Sequence, residues 1–250
     1  MRYSACIELL FRAEAPVFAE RIRLAKAAGL DAVEFWQWSG KDLDAIRAAL
    51  AETGLPLAGI LCEPIANLTN PETHGFFLEG VRASLAAAQR LGTRMLIAQG
   101  GNVVAGASRE EQHGAIVDCL GRAAEIVAGS GVVIALEPLN DRVDHPGYFL
   151  TATSEGLDII GEVGRPEIRL LYDIYHAATM GEPIELLAGR VDHLAHVHFA
   201  DTPGRHQPGT GAMDWRARLD WLAAAGYQGL VGLEYTPAGG TVESLGFRST

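Results

Sequence analysis

Two hydrophobic periods alternate along the chain. Short runs of β-branched and aliphatic residues, the mark of strands buried on both faces, fall at 3–8, 31–35, 55–61, 93–98, 131–137, 168–173, 193–199 and 229–235. Stretches with apolar residues at helical spacing lie between them, at 16–28, 42–53, 74–91, 109–129, 152–163, 183–188 and 214–225. In 109–129, Ile116, Leu120, Ala123, Ala124 and Val127 share one stripe. In 42–53, Asp42 precedes Leu43, Ile46, Ala49 and Leu50, a capping residue followed by an apolar face. Gly29, Gly54, Gly92, Gly131 and Gly226 each stand just ahead of a predicted strand, where a left-handed residue ends a helix. Strands alternating with helices imply a parallel sheet. The 250 residues match the size of one closed barrel of eight such units. The expected fold is therefore α/β, a single (β/α)8 TIM barrel over 1–250. An open doubly wound sheet would usually carry a glycine-rich turn after strand one, and Ile7-Glu-Leu-Leu-Phe11 has no glycine. The tail from Gly239 is too short for a full eighth helix. Closure there is expected to be partial or completed by a neighbouring subunit, which allows a homo-oligomer.

Four of these strands end in a metal-type ligand. Val132-Val-Ile-Ala-Leu136 runs into Glu137, Ile168-Arg-Leu-Leu-Tyr172 into Asp173, Leu194-Ala-His-Val197 into His198, and Leu230-Val-Gly-Leu233 into Glu234. In a closed barrel the C-terminal ends of all strands meet at one face, where active sites sit. One carboxylate after one strand means little. Four in equivalent places point to convergence, and three carboxylates with an imidazole suit Mg²⁺ or Mn²⁺.

Composition narrows the partners. A formal net charge of −11 argues against nucleic acid and against an anionic membrane surface. The longest stretch free of Asp, Glu, Lys and Arg, Met95–Ser108, contains Gln99-Gly-Gly-Asn102 and is no membrane span. Cys6, Cys62 and Cys119 are odd in number and form no C-x-x-C pair, as expected of reduced thiols in a soluble cytoplasmic protein. No Pro/Ser linker divides the chain. Phosphate-loop, nucleophile-elbow, H-E-x-x-H and dinucleotide-turn patterns are absent. A small-molecule substrate is the remaining expectation.

The motifs around the strand ends each admit two readings. In Leu136-Glu-Pro-Leu-Asn140, Glu137 reads as metal ligand and general base, with Asn140 placing substrate or ligands; equally, Pro138 and Asn140 could simply make a turn. In Tyr172-Asp-Ile-Tyr-His176, Asp173 reads as a ligand or as the N-cap of a following helix, and His176 as a cleft residue or an exposed one. His196 and His198 share one side of strand seven. Asp201-Thr-Pro-Gly-Arg-His-Gln-Pro-Gly-Thr-Gly211 is a long loop, uncommon unless functional, and Arg205 within it could clamp a carboxylate or phosphate in a two-point contact. Trp36 and Trp38, after strand two, could wall a pocket or could serve packing alone.

Together LEPLN, YDIYH, HVHFADTPGRHQPGTG and GLEY resemble the hydroxypyruvate isomerase family of the xylose-isomerase-like TIM barrels, relatives of the D-tagatose 3-epimerases. The resemblance runs from Arg2 to about Tyr235, and the loop D-x-P-x-R-x-x-P-G-T-G is its most specific part. It implies metal ligation by Glu137, Asp173, His198 and Glu234, substrate contacts by His176 and Arg205, and proton transfer by Glu137 and Glu234. Some hydroxypyruvate isomerases carry Gln where this chain has His198; the epimerases carry His there. The segment after Asn140, Ser4-Ala-Cys-Ile-Glu8 and the Trp36/Trp38 loop also depart from the family pattern. The implied reaction is an aldose–ketose type isomerisation of hydroxypyruvate to 2-hydroxy-3-oxopropanoate, through a cis-enediolate stabilised by a divalent cation. A ketose 3-epimerase is the alternative, with a non-catalytic sugar-acid binding protein behind it.

Overall fold

The computed structural model describes residues 1–249. Eight parallel strands form one sheet: β1 (Arg2–Cys6), β2 (Ala32–Glu34), β3 (Ile60–Leu61), β4 (Met95–Gln99), β5 (Val133–Glu137), β6 (Ile168–Asp173), β7 (Leu194–Phe199) and β8 (Leu230–Leu233). Helices α1 (Phe18–Ala27), α2 (Leu43–Thr53), α3 (His74–Leu91), α4 (Arg109–Val127), α5 (Thr153–Val163), α6 (Ile174–Met180), α7 (Trp215–Ala224) and α8 (Thr241–Ser244) follow them in turn. The sheet closes within the chain. β1 pairs with β8 from Arg2↔Leu230 to Ala5↔Leu233. The seam between β2 and β3 is bridged by Val33↔Leu57 and by backbone bonds from Val33 to Pro56 and from Leu61 to Trp36.

Local sequence explains the elements. Helix α4 begins with a reciprocal capping box between Ser108 and Glu111, which satisfies two otherwise orphaned donors. Its stripe Ile116, Leu120, Ala123, Ala124 and Val127 is fully buried. Helix α2 is capped by the Asp42 side chain and stopped by left-handed Gly54 at φ 68°.

Three expectations are corrected. The helix expected over 183–188 is a 3-10 turn, Ile184–Leu187, and the sixth helix is instead α6, immediately after β6. The run 55–61 gives only a two-residue strand, because Pro56 has no N–H for a ladder. The short tail needs no neighbouring subunit to complete the sheet. It forms one-turn α8 and a 3-10 turn over Leu245–Ser249, with the Phe247 ring edge-on to Tyr3, Phe199 and Trp215.

The two-residue period of the strands divides their side chains between two environments. Val33, Ile134, Leu136, Leu170, Tyr172, Val197, Phe199, Val231 and Leu233 join the main core between strands and helices. Leu61, Met95, Ile97, Ala135 and Leu171 form a separate apolar cluster inside the barrel beside β3–β6. Ser4, Glu34, His196 and His198 fill the interior on the β1, β2 and β7 side and are all buried. The interior positions nearest the C-terminal ends of β5 to β8 are Glu137, Asp173, His198 and Glu234.

Candidate active site

Those four residues converge. One ligand atom from each of Glu137, Asp173, His198 and Glu234 can be chosen so that all lie within 4.8 Å of one another, and all four residues are buried. Asp173 and His198 are register partners on neighbouring strands. His198 Nδ1 stands 3.0 Å from Glu137 Oε1 and 3.6 Å from Glu234 Oε2. Three carboxylates and one imidazole gathered out of water fit a hard divalent cation.

Asp173 takes up the N-cap reading while its second oxygen stays on the cluster side. Oδ1 caps α6 by accepting from the N–H groups of Tyr175 and His176 at 2.7 and 3.2 Å. Oδ2 is 3.5 Å from His176 Nε2.

The charges perturb one another. Burial, then the neighbouring Glu234, pushes the Asp173 carboxyl up to about 6. Burial alone would raise the Glu234 carboxyl too, but His198, Arg205 and the Trp36 N–H together hold it below the usual range. Burial opposes charging of His198, yet the carboxylates of Glu234, Glu34 and Glu137 around the ring raise it well above an ordinary histidine. A cation bound among these groups would displace protons from them.

His176 is neutral, taken down to about 4 by burial and then by Arg205. Asn140 explains its orientation. The Asn140 backbone N–H donates to His176 Nδ1 at 3.1 Å, and the side-chain amide nitrogen lies 2.7 Å from the same atom. An acceptor Nδ1 puts the ring proton on Nε2, which has no hydrogen-bond partner of its own. Asn140 is fully buried and acts from behind His176, not on the cavity wall.

A cavity of about 320 Å³ opens over the cluster, lined by Glu137, His176, His198, Arg205 and Glu234 with Trp36, Gln37, Leu61, Ile65, Ile97, Gln99, Leu139 and His145. Arg205 reaches it from the loop after β7. Buried Asp201 organises that loop by accepting from Thr202, Gly209 and Gly211 N–H groups at 2.7–3.0 Å. Arg205 itself sits at φ 53°, a left-handed backbone that costs a non-glycine residue roughly 1–2 kcal/mol. Its Nη2 donates to Glu234 Oε2 at 2.6 Å, and its Nη1 lies 3.6 Å from Asp144.

The two tryptophans divide. Trp36 lines the cavity and donates from Nε1 to Glu234 Oε1 at 2.7 Å. Trp38 turns to Ser84, 3.1 Å away. Glu34, Gln99, Asp144, His145 and Tyr175 were not singled out by sequence. Glu34 and Gln99 end strands, and the four clustered residues stand at or beside strand ends too. His145 lies in a loop without periodicity.

Comparison with known proteins places the chain in a family. The family model for the xylose isomerase-like TIM barrel matches residues 22–249. The hydroxypyruvate isomerase of Escherichia coli (strain K12) is 30% identical, the match covering 95% of this chain and 94% of that one. The chain belongs to this family. A 2-oxo-tetronate isomerase of Cupriavidus necator is 29% identical over 98% of the chain and 96% of its own length. A solved structure from Brucella melitensis described as an AP endonuclease, family 2, superposes with a TM-score of 0.91 at 29% identity, covering 99% and 98% of the two chains. Family membership makes the chain an isomerase-type enzyme. No helix among the described residues is long and apolar enough to cross a membrane.

Proposed function

We propose that the protein interconverts hydroxypyruvate and 2-hydroxy-3-oxopropanoate, or a closely related small hydroxy keto acid, with Mg²⁺ or Mn²⁺ held by Glu137, Asp173, His198 and Glu234. The supporting observation is the buried quartet under a small cavity whose edge carries a guanidinium. The names of the relatives point the same way.

A divalent cation would polarise the substrate carbonyl and offset the charge that develops on its oxygen. The remaining work falls to side chains. One carboxylate, Glu137 or Glu234, takes a proton from C3 of hydroxypyruvate, and the C–H electron pair shifts toward the C2 oxygen to give the cis-enediolate. A proton returns to C2 and the hydroxyl proton passes from O3 to O2, leaving an aldehyde at C3. The Trp36 and Arg205 contacts keep Glu234 ionised and oriented. His176, neutral and with Nε2–H turned to the cluster, is placed to donate to a substrate oxygen. Arg205 lines the cavity, and its guanidinium is the group proposed to meet the substrate carboxylate.

The test is turnover of hydroxypyruvate by metal-stripped protein reloaded with Mg²⁺ or Mn²⁺, in deuterated solvent. Metal-dependent product carrying deuterium at the carbon that receives the proton is the expected result. No turnover with either metal would sink the reading. A ketose 3-epimerase is favoured by one feature, His198 where some hydroxypyruvate isomerases have Gln, and a panel of free ketoses in the same assay decides between them. A non-catalytic sugar-acid binding protein would bind without turnover.

A further inference from the structure

Inside the barrel, below the ligand quartet, lies a second buried group that the proposed reaction does not use. Glu34, at the end of β2, is 2% exposed. Its Oε2 receives Ser4 Oγ at 2.9 Å and pairs with His196 Nε2 at 2.8 Å. Its Oε1 has no hydrogen-bond partner and stands 3.1 Å from His198 Nε2, which has none either. The approach is close but off the hydrogen-bond line. The opposite ring nitrogen, Nδ1, faces Glu137 and Glu234.

Space for this arrangement comes from Gly232. Its register partners are Ser4 and His198. A Cβ there would come within 2.3 Å of Glu34 Oε1, 2.7 Å of His196 Nε2 and 2.8 Å of His198 Cδ2. All three side chains occupy the place a larger residue would fill. Burying a carboxylate here is costly unless it is paired, and His196 with Ser4 pairs only one of its oxygens.

We propose that Glu34 is a positioning residue for the metal site: it holds the His198 ring with Nε2 toward itself and Nδ1 toward the carboxylate cluster. The proposal rests on the reading of Glu137, Asp173, His198 and Glu234 as that site. A ligating histidine commonly gives its other N–H to a carboxylate, and loss of such a partner weakens metal binding by about ten- to a hundredfold. Glu34 acts on the quartet through His198, because its free Oε1 faces Nε2, on the side of the ring away from Glu137 and Glu234.

Mn²⁺ binding, followed by the EPR signal of the free ion, tests this in wild type, Glu34→Gln, His198→Gln and the double variant. Wild type should bind one Mn²⁺. Glu34→Gln should bind it about ten- to a hundredfold more weakly, whereas in the His198→Gln background the same change should matter less than about twofold. An unchanged affinity in Glu34→Gln, an equal loss in both backgrounds, or two Mn²⁺ per wild-type chain would each overturn the role of Glu34 while leaving the quartet standing. No Mn²⁺ binding by wild type overturns both. A second measurement asks for no folded Glu34 variant. In ¹⁵N-histidine-labelled wild type, the His198 signals, assigned by their loss in His198→Gln, should show Nε2 still protonated and Nδ1 shifted when Mg²⁺ is added. A metal-induced shift on Nε2 instead overturns the proposal.

Discussion

Arg205 Nη2 donates to Glu234 Oε2 across 2.6 Å, joining the loop after β7 to the end of β8. Beneath it the guanidinium carbon lies 5.0 Å from the Tyr175 ring centre. Tyr175 in turn donates to Asp144 at 2.7 Å. Arg205 is therefore anchored by a carboxylate and an aromatic face, while its buried Nε makes no hydrogen bond. The guanidinium still lines the cavity beside Glu234.

Arg205→Ala should lower kcat/KM for hydroxypyruvate by about ten- to a hundredfold, the value of roughly 1.5–3 kcal/mol for a hydrogen bond to a charged group. Arg205→Lys should recover only part, since an ammonium lacks the planar fork. Part of the loss reflects a disturbed Glu234 and is shared by every substrate. The carboxylate contact is measured by the difference between hydroxypyruvate and a neutral ketose, and equal losses on both would remove it.

Glu137→Gln and Glu234→Gln should each keep the fold and lose most turnover, because an amide cannot accept the substrate proton and ligates a hard cation poorly. Circular dichroism checks the first half, and steady-state rates with Mn²⁺ check the second. Near wild-type turnover in the double variant, with metal bound, would exclude paired carboxylates as the proton carriers.

Metal affinity should rise with pH through the acidic and neutral range. Asp173, pushed up to about 6, is protonated below that pH, and the proton competes with the cation. His198, raised well above an ordinary histidine, carries a second proton at neutral pH that ligation through Nδ1 must displace. Calorimetry in buffers of different ionisation enthalpy should show protons released on Mn²⁺ binding, with more released at pH 5 than at pH 7. An affinity that falls as pH rises from 5 to 7 would contradict the assignment.

Strand ends were readable because a parallel barrel repeats one rule: apolar run, then a residue at the open face. Glu137, Asp173, His198 and Glu234 follow it. Glu34 follows it too, at the end of Ala32-Val33, but its two-residue apolar lead is too short to stand out. The sixth helix was misplaced because Asp173 ends a strand and caps a helix at once, so no loop separates β6 from α6. The Asn140–His176 contact joins residues 36 positions apart, and no periodicity reports such a pairing. The division of labour between Trp36 and Trp38 depends on one buried acid, Glu63, that has no motif around it.

Glu63 holds the loop that carries Trp36. It is 8% exposed. Oε2 accepts from the N–H groups of Trp38 and Ser39 at 2.6 and 2.8 Å, and Oε1 from Ser39 Oγ at 2.7 Å. Glu63→Ala leaves both backbone donors without that acceptor and should destabilise the fold by about 2 kcal/mol, read as a lower urea midpoint with unchanged slope. Glu63→Gln should lose much less, because its amide oxygen can still accept both N–H groups while its NH₂ turns to Ser39 Oγ. Freed at its base, Trp36 should no longer steer Glu234 as firmly, so folded Glu63→Ala should also turn over more slowly than Glu63→Gln. An unchanged urea midpoint in Glu63→Ala, or equal effects of Ala and Gln, would show that this carboxylate does not anchor the loop.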